Sequence, residues 1–273
     1  MLSFFSSTTR LRISLLCAAS AIAVAAPVSA QENYEIQVYG SETMSPGVTM
    51  FELHSNFTFD GERLKKNGIL PTYHTFHETL EITRGLNEWS ELGFYFFNSI
   101  GADQGYKYVG SHIRPRVRAP ESWGWPVGAS LSVEAGFQSS EFSEDTWSVE
   151  IRPIIDRQIG DWYVSVNPTL ERSLKSDAPS EGFLFSPNVA LTYDLTPKVN
   201  VGVEYYGAMG PVRAFLPSAQ QEHQLYAAVN LDVAPEWEVN FGFGAALTNA
   251  GDQKLFKLIL GRRVGSLPEA KKP

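Results

Sequence analysis

Apolar and polar residues alternate with a period of two along twelve stretches of this chain. Successive side chains of an extended backbone leave on opposite sides, so each stretch predicts a strand with one apolar and one polar face. The predicted strands are 48–59, 73–83, 89–98, 106–118, 128–137, 146–156, 162–173, 183–194, 199–206, 222–231, 237–247 and 255–264. Short joins at 84–88, 157–161, 194–198 and 232–236 are interleaved with longer, more polar ones such as 173–182 and 207–222. Tight turns at one rim and longer loops at the other suit a closed sheet that crosses a bilayer. The expected fold is therefore all-β, an antiparallel transmembrane β-barrel of about twelve strands. An even count puts the N- and C-termini together at the tight-turn rim, the periplasmic side of an exported barrel.

Periodicity alone does not say what the apolar face touches. In 146–156, Trp147, Val149, Ile151, Pro153 and Ile155 alternate with Ser148, Glu150, Arg152 and Asp156. A soluble sandwich would bury the first set, whereas a membrane barrel turns it to lipid and encloses the second. The tryptophans separate the two cases. Trp89, Trp162 and Trp237 follow tight turns and Trp123 and Trp125 precede Gly128, so five of six gather at one rim, as an interfacial girdle would. Pro115, Pro153, Pro168 and Pro187 fall inside predicted strands, where proline cannot donate to the ladder; bulges or rim positions are expected there. Tyr34 to Tyr39 also alternates and reads as a periplasmic lead-in or a segment tucked into the lumen.

Residues 1–30 carry Arg10 and Arg12, an apolar run to Ala26 and a Val28-Ser29-Ala30 cleavage site, the pattern of a signal peptide. The expected organisation is then a lead-in at 31–47, the barrel at 48–264 and a tail at 265–273. Cleavage would remove the single cysteine, Cys17, and shift the formal net charge from −8 to −10. Disulfides and thiolate metal sites are thereby excluded, and nucleic acid is not an expected partner. Lipid of the bacterial outer membrane and the barrel assembly machinery are.

The predicted lumen is rich in charge. Its candidate lining and solute-guiding residues are Glu52, His54, Glu91, Arg114, Arg116, Arg118, Glu134, Glu150 and Arg152, with Glu81, Asp156, Glu171, Glu204, Glu238, Lys257 and Arg263 alongside. Alternation sends His112, Arg114, Arg116 and Arg118 to one face, to pair with Glu91 and Glu134 on adjacent strands or to offer an anion a ladder of contacts. His54-Ser55-Asn56 invites a hydrolase reading, but neighbours on a strand point apart, so His54 and Ser55 do not form a base–nucleophile pair. His74 and His77 also face opposite ways, and His77 with Glu81 makes only two ligands. No catalytic residue, cofactor or metal is predicted.

The strings Glu35-Ile36-Gln37-Val38-Tyr39, Glu52-Leu53-His54-Ser55-Asn56, His77-Glu78-Thr79-Leu80-Glu81-Ile82-Thr83, Glu150-Ile151-Arg152-Pro153-Ile154-Ile155-Asp156 and Glu204-Tyr205-Tyr206-Gly207 carry a resemblance. They resemble a bacterial family of outer-membrane barrels similar to the transporter-like proteins labelled after the meta-pathway of phenol degradation. The resemblance implies a channel or transporter-like protein passing small compounds, hydrophobic or aromatic ones among them, and brings no catalytic residues. The chain departs from the usual pattern by running past Val264 without a terminal aromatic residue. The competing expectations are a plugged structural or docking barrel with partner-binding outer loops and, behind it, an outer-membrane hydrolase.

Overall fold

The structure is a computed structural model that describes residues 33–176 and 182–266. The expected signal peptide and most of the expected tail lie outside the described residues. Twelve strands form the wall: β1 (Thr49–Asp60), β2 (Thr75–Asn87), β3 (Ser90–Gly101), β4 (Gly105–Arg118), β5 (Gly128–Gln138) and β6 (Asp145–Ile159). They continue with β7 (Trp162–Ser176), β8 (Leu184–Thr196), β9 (Val199–Ala208), β10 (Glu222–Ala234), β11 (Trp237–Ala246) and β12 (Lys254–Val264). Each strand pairs antiparallel with its sequence neighbours, and β1 pairs with β12 from Thr49↔Val264 onward, so the sheet closes on itself. Closure removes the edges that would otherwise be open to aggregation.

The polar face of each strand points inward. On β1, Glu52, His54, Asn56 and Thr58 are buried while Phe51, Leu53 and Phe59 are exposed. On β2, Thr75, His77, Thr79, Glu81 and Thr83 are buried while Phe76 and Leu80 are exposed. The same inversion continues around the barrel to Leu225, Phe243 and Leu260 on the outside and Gln224, Lys257 and Ile259 within. A continuous uncovered apolar wall around a polar interior is stable against hydrocarbon, not against water. Trp89, Trp123, Trp125 and Trp162 are exposed at the tight-turn rim. Tyr106, Tyr108 and Trp147 mark the other.

All twelve predicted strands are present, several extended by a few residues because the ladders run down to the turns. Thr196 pairs with Val199, leaving Pro197-Lys198 as the turn, and Ile159 pairs with Trp162 around Gly160, whose φ of 60° suits glycine. The short–long alternation is not strict. Gly101 pairs with Gly105, so the β3–β4 join is three residues long on the longer-loop rim. The 119–127 join carries a 3-10 turn at Glu121–Trp123 on the tight rim. In the 209–221 join, Gly210–Pro211 adds a two-residue pairing to Leu184 and Phe185.

The prolines do not make the expected bulges. The β6–β7 ladder lapses between Ile151↔Leu170 and Ile155↔Val166 without any slip of register, which sets Pro153 opposite Pro168 in the gap. Two prolines facing one another remove both N–H donors of that pair, so hydrogen bonds are lost while alignment is kept. The β4–β5 ladder lapses in the same way beside Pro115.

Candidate functional site in the lumen

Residues 33–47, expected as a periplasmic lead-in or a segment tucked into the lumen, run through the barrel interior. Their head lies near the longer-loop rim, where Asn33 donates to Asp252 at 2.5 Å and its carbonyl accepts from Asn56 at 2.8 Å. Burial raises the Asp252 carboxyl, and hydrogen bonds from Thr72, Asn33, the Glu62 amide and Thr58 oppose that rise. The foot meets the start of β1, where the Gly47 amide donates to the Gly85 carbonyl at 3.0 Å. At Gly85 any Cβ would lie 2.1 Å from the Ser45 carbonyl, so only glycine lets the segment pass this close to β2.

Among the described residues no strand ladder includes this segment above its foot; lumen side chains take its backbone polar groups instead. Thr79 donates to the Tyr34 carbonyl at 2.7 Å and Lys257 to that of Ile36 at 3.3 Å. Asn167 accepts the Tyr39 amide at 2.7 Å, and the Tyr39 carbonyl accepts from Ser165 at 2.6 Å and Asn167 at 3.0 Å. Asp156 accepts from both the amide and the hydroxyl of Ser41 at 2.7 Å. Arg116 donates to the Gly40 and Glu42 carbonyls at 3.1 and 2.6 Å, and Glu91 accepts the Met44 amide at 2.6 Å. Seven strands thus contribute to one internal ladder built from side chains, which satisfies a buried irregular backbone.

Ionic groups converge on Tyr39. Its ring lies 4.8 Å from the guanidinium carbons of Arg114 and Arg152 and 5.6 Å from that of Arg116. Its hydroxyl bonds Glu35 and lies 3.2 Å from the hydroxyl of Tyr95. Arg152 pairs with Glu35 at 3.1 Å and Glu150 at 2.7 Å. Arg116 pairs with Glu91 at 2.7 Å. Arg114 reaches Glu81 at 2.6 Å and Glu91 at 3.4 Å. Across the lumen, Lys257 contacts Glu204, which also accepts from Tyr206 at 2.6 Å. Two aromatic clusters flank the segment: Tyr34 with Tyr95, Phe97 and Val109, and Ile36 with Tyr206, Tyr226 and Leu255.

Of the nine candidate lining residues, Glu52, His54, Glu91, Arg114, Arg116, Glu134 and Arg152 are buried on the inner face, and Glu150 is half-buried beside Arg152. Arg118 stands apart. It ends β4 at the rim and pairs at 3.0 Å with exposed Glu121, because the strand has by then left the enclosed section that holds Arg114 and Arg116. Glu134 meets His112 at 2.7 Å rather than an arginine, and Arg114 reaches past its neighbouring strand to Glu81. Ser55 turns outward and donates to Glu78 at 2.7 Å, on the face opposite His54. Glu35, Tyr39, Ser165 and Asn167 were not foreseen as site residues; the alternation of 34–39 was the signal for the first two, and the polar face of 162–173 for the last two.

No family model matches the chain, and no curated protein matches it in sequence. Its fold is similar to that of an outer membrane channel from Pseudomonas putida F1, at 10% identity and a TM-score of 0.57 over 84% of this chain and 100% of that one. It is also similar to the NanC porin (6% identity, TM-score 0.54, 80% and 100% covered) and to the KdgM porin (8%, 0.51, 78% and 98%). The fold is that of the bacterial outer-membrane barrels. Nothing in these likenesses ties the chain to the label of phenol meta-cleavage.

With residues 33–47 lying as a strap through the lumen, each of the twelve strands has buried side chains on its inner face, whereas the lining of an open aqueous bore would remain accessible to water. The arrangement supplies a polar, ion-paired interior closed by an internal segment.

Proposed function

We propose that this chain is an outer-membrane channel or transporter-like barrel for small compounds, whose open cross-section is set by residues 33–47. One observation carries the reading: the segment is held by side-chain hydrogen bonds and ion pairs, while the wall is held by backbone ladders that close on themselves. Each neutral bond of this kind contributes about 0.5–1.5 kcal/mol net, because water competes for both partners. Shifting part of the strap is therefore far less costly than opening the wall. The fold shared with the Pseudomonas putida channel and the porins supports the same reading. The finer expectation of hydrophobic or aromatic solutes is supported by the aromatic clusters around Tyr34 and Ile36, which offer ring faces beside the strap.

Single-channel recording in planar bilayers tests this. Wild type should give small or infrequent steps, and Ser165→Ala with Asn167→Ala, which releases the Tyr39 backbone, should give larger ones. If both proteins show heat-modifiable migration, the sign of a folded barrel, and neither conducts, the channel reading fails. The docking reading would then stand on the 209–221 join, which is folded against β8 and exposes Val212 and Phe215.

A further inference from the structure

Beside the Tyr39 hub, a buried cluster has more carboxylate than the one arginine that reaches it, Arg114, can pair. Glu52 on β1 and Glu81 on β2 are directly opposite in the ladder and both point inward, and His54 lies two residues along β1 on the same face. Like charges set directly opposite across a sheet repel. One ligand atom from each of the three side chains lies within 4.8 Å of the others. His54 is fully buried, and neither ring nitrogen has a hydrogen-bond partner; its Nε2 sits 3.4 Å from Glu81 Oε2 without hydrogen-bond alignment. Glu81 Oε2 is likewise unpartnered, and Glu52 makes no hydrogen bond or ion pair among the described residues. Arg114 and Thr83 both bind the other oxygen, Glu81 Oε1, at 2.6 and 2.7 Å. They fix that carboxylate so that Oε2 faces the imidazole.

We propose that Glu52, His54 and Glu81 hold a divalent transition-metal ion that pins β1 to β2 inside the lumen. One imidazole and two carboxylates suit zinc, manganese or ferrous iron, with Arg114 on Oε1 of Glu81 and Oε2 left for the ion. Tetrahedral ligands about 2.0–2.2 Å from one ion lie about 3.3–3.6 Å apart, so His54 and Glu81, at 3.4 Å, already fit, and the remaining separations, within 4.8 Å, must close by at most about 1.5 Å. The ion meets the unpaired imidazole and the opposed carboxylates together, which a single hydrogen bond would not. His54 and Glu81 are fully buried, so loading belongs to barrel assembly.

The test uses the tag-free full chain refolded into detergent with zinc, then washed with chelator and passed through gel filtration. Elemental analysis should find one zinc per chain in wild type and in His112→Gln, which alters a buried histidine outside the site. Glu52→Gln and His54→Gln should retain less than a tenth of that, with folding confirmed by heat-modifiable migration. Cobalt in place of zinc should give visible absorption that is lost in His54→Gln. Should His54→Gln not fold, Glu52→Gln and the cobalt spectrum of wild type decide the matter. Folded wild type that keeps no zinc, or Glu52→Gln that keeps as much as wild type, overturns the proposal. Conductance plays no part in the assay, so its outcome is separate from that of the channel reading.

Discussion

Tyr39 and Arg116 show how single side chains hold the interior. Tyr39→Phe keeps the ring between Arg114 and Arg152 but removes the hydroxyl that bonds Glu35. The loss should be about 1–2 kcal/mol, since Glu35 keeps Arg152. Tyr39→Leu also removes the cation–π contacts, each worth roughly 0.5–2 kcal/mol, and should lower the urea midpoint further than Tyr39→Phe does. Equal midpoints for the two would show that the ring contributes nothing. Arg116→Glu is more severe. It strips the Gly40 and Glu42 carbonyls of their donor and sets a second carboxylate against Glu91. Breaking a buried pair costs about 3–5 kcal/mol, so the folded fraction should fall and the surviving channels should conduct more because the strap is loosened. An unaltered conductance and midpoint would count against both roles. The sequence made the shared face of Arg114 and Arg116 legible, because face follows from alternation. It did not reveal their partners, since height in the barrel and reach across strands depend on register. For the same reason Glu52 and His54 were visible as lining residues while their meeting with Glu81 was not.

At the level of strands, hydrophobic period fixed existence and face, and the structure differs mainly where backbone chemistry intervenes. The 34–39 stretch alternates as a strand would, yet its partners are lumen side chains, so periodicity could not distinguish a strand from a strap. The proline positions were visible, but not that Pro153 and Pro168 would oppose one another and let the ladder lapse in register. Restoring both donors with Pro153→Val and Pro168→Val should gain about 0.5–1.5 kcal/mol per hydrogen bond. About 0.4–1 kcal/mol per site is offset by the freedom returned to the unfolded chain, so the unfolding midpoint should rise only slightly. Hydrogen exchange is the sharper measurement. The new amides at 153 and 168 should exchange as slowly as those of neighbouring strand residues. Rapid exchange there would mean that the gap in the ladder has another cause.

For the molecule as a whole, the question is which charge governs an opened lumen. A row of three arginines on one strand suggests an anion path, but the structure engages Arg114 and Arg116 with carboxylates and leaves Arg118 at the rim. Among the described residues, nine carboxylates are buried against four basic side chains, Arg114, Arg116, Arg152 and Lys257. Loosening the strap does not reverse this excess, because only Glu35 of the nine belongs to the strap. A channel freed by Ser165→Ala with Asn167→Ala should therefore prefer potassium to chloride, read as the sign of the reversal potential across a tenfold KCl gradient. Screening sets its size. The Debye length grows from about 3 Å at 1 M salt to about 10 Å at 0.1 M, so the preference should sharpen as both solutions are diluted. Replacing Glu134 and Glu204, whose partners are His112 and Lys257, with glutamine should weaken it. A chloride preference that strengthens on dilution would instead assign the field to the arginines, with the carboxylates serving only to hold them in place.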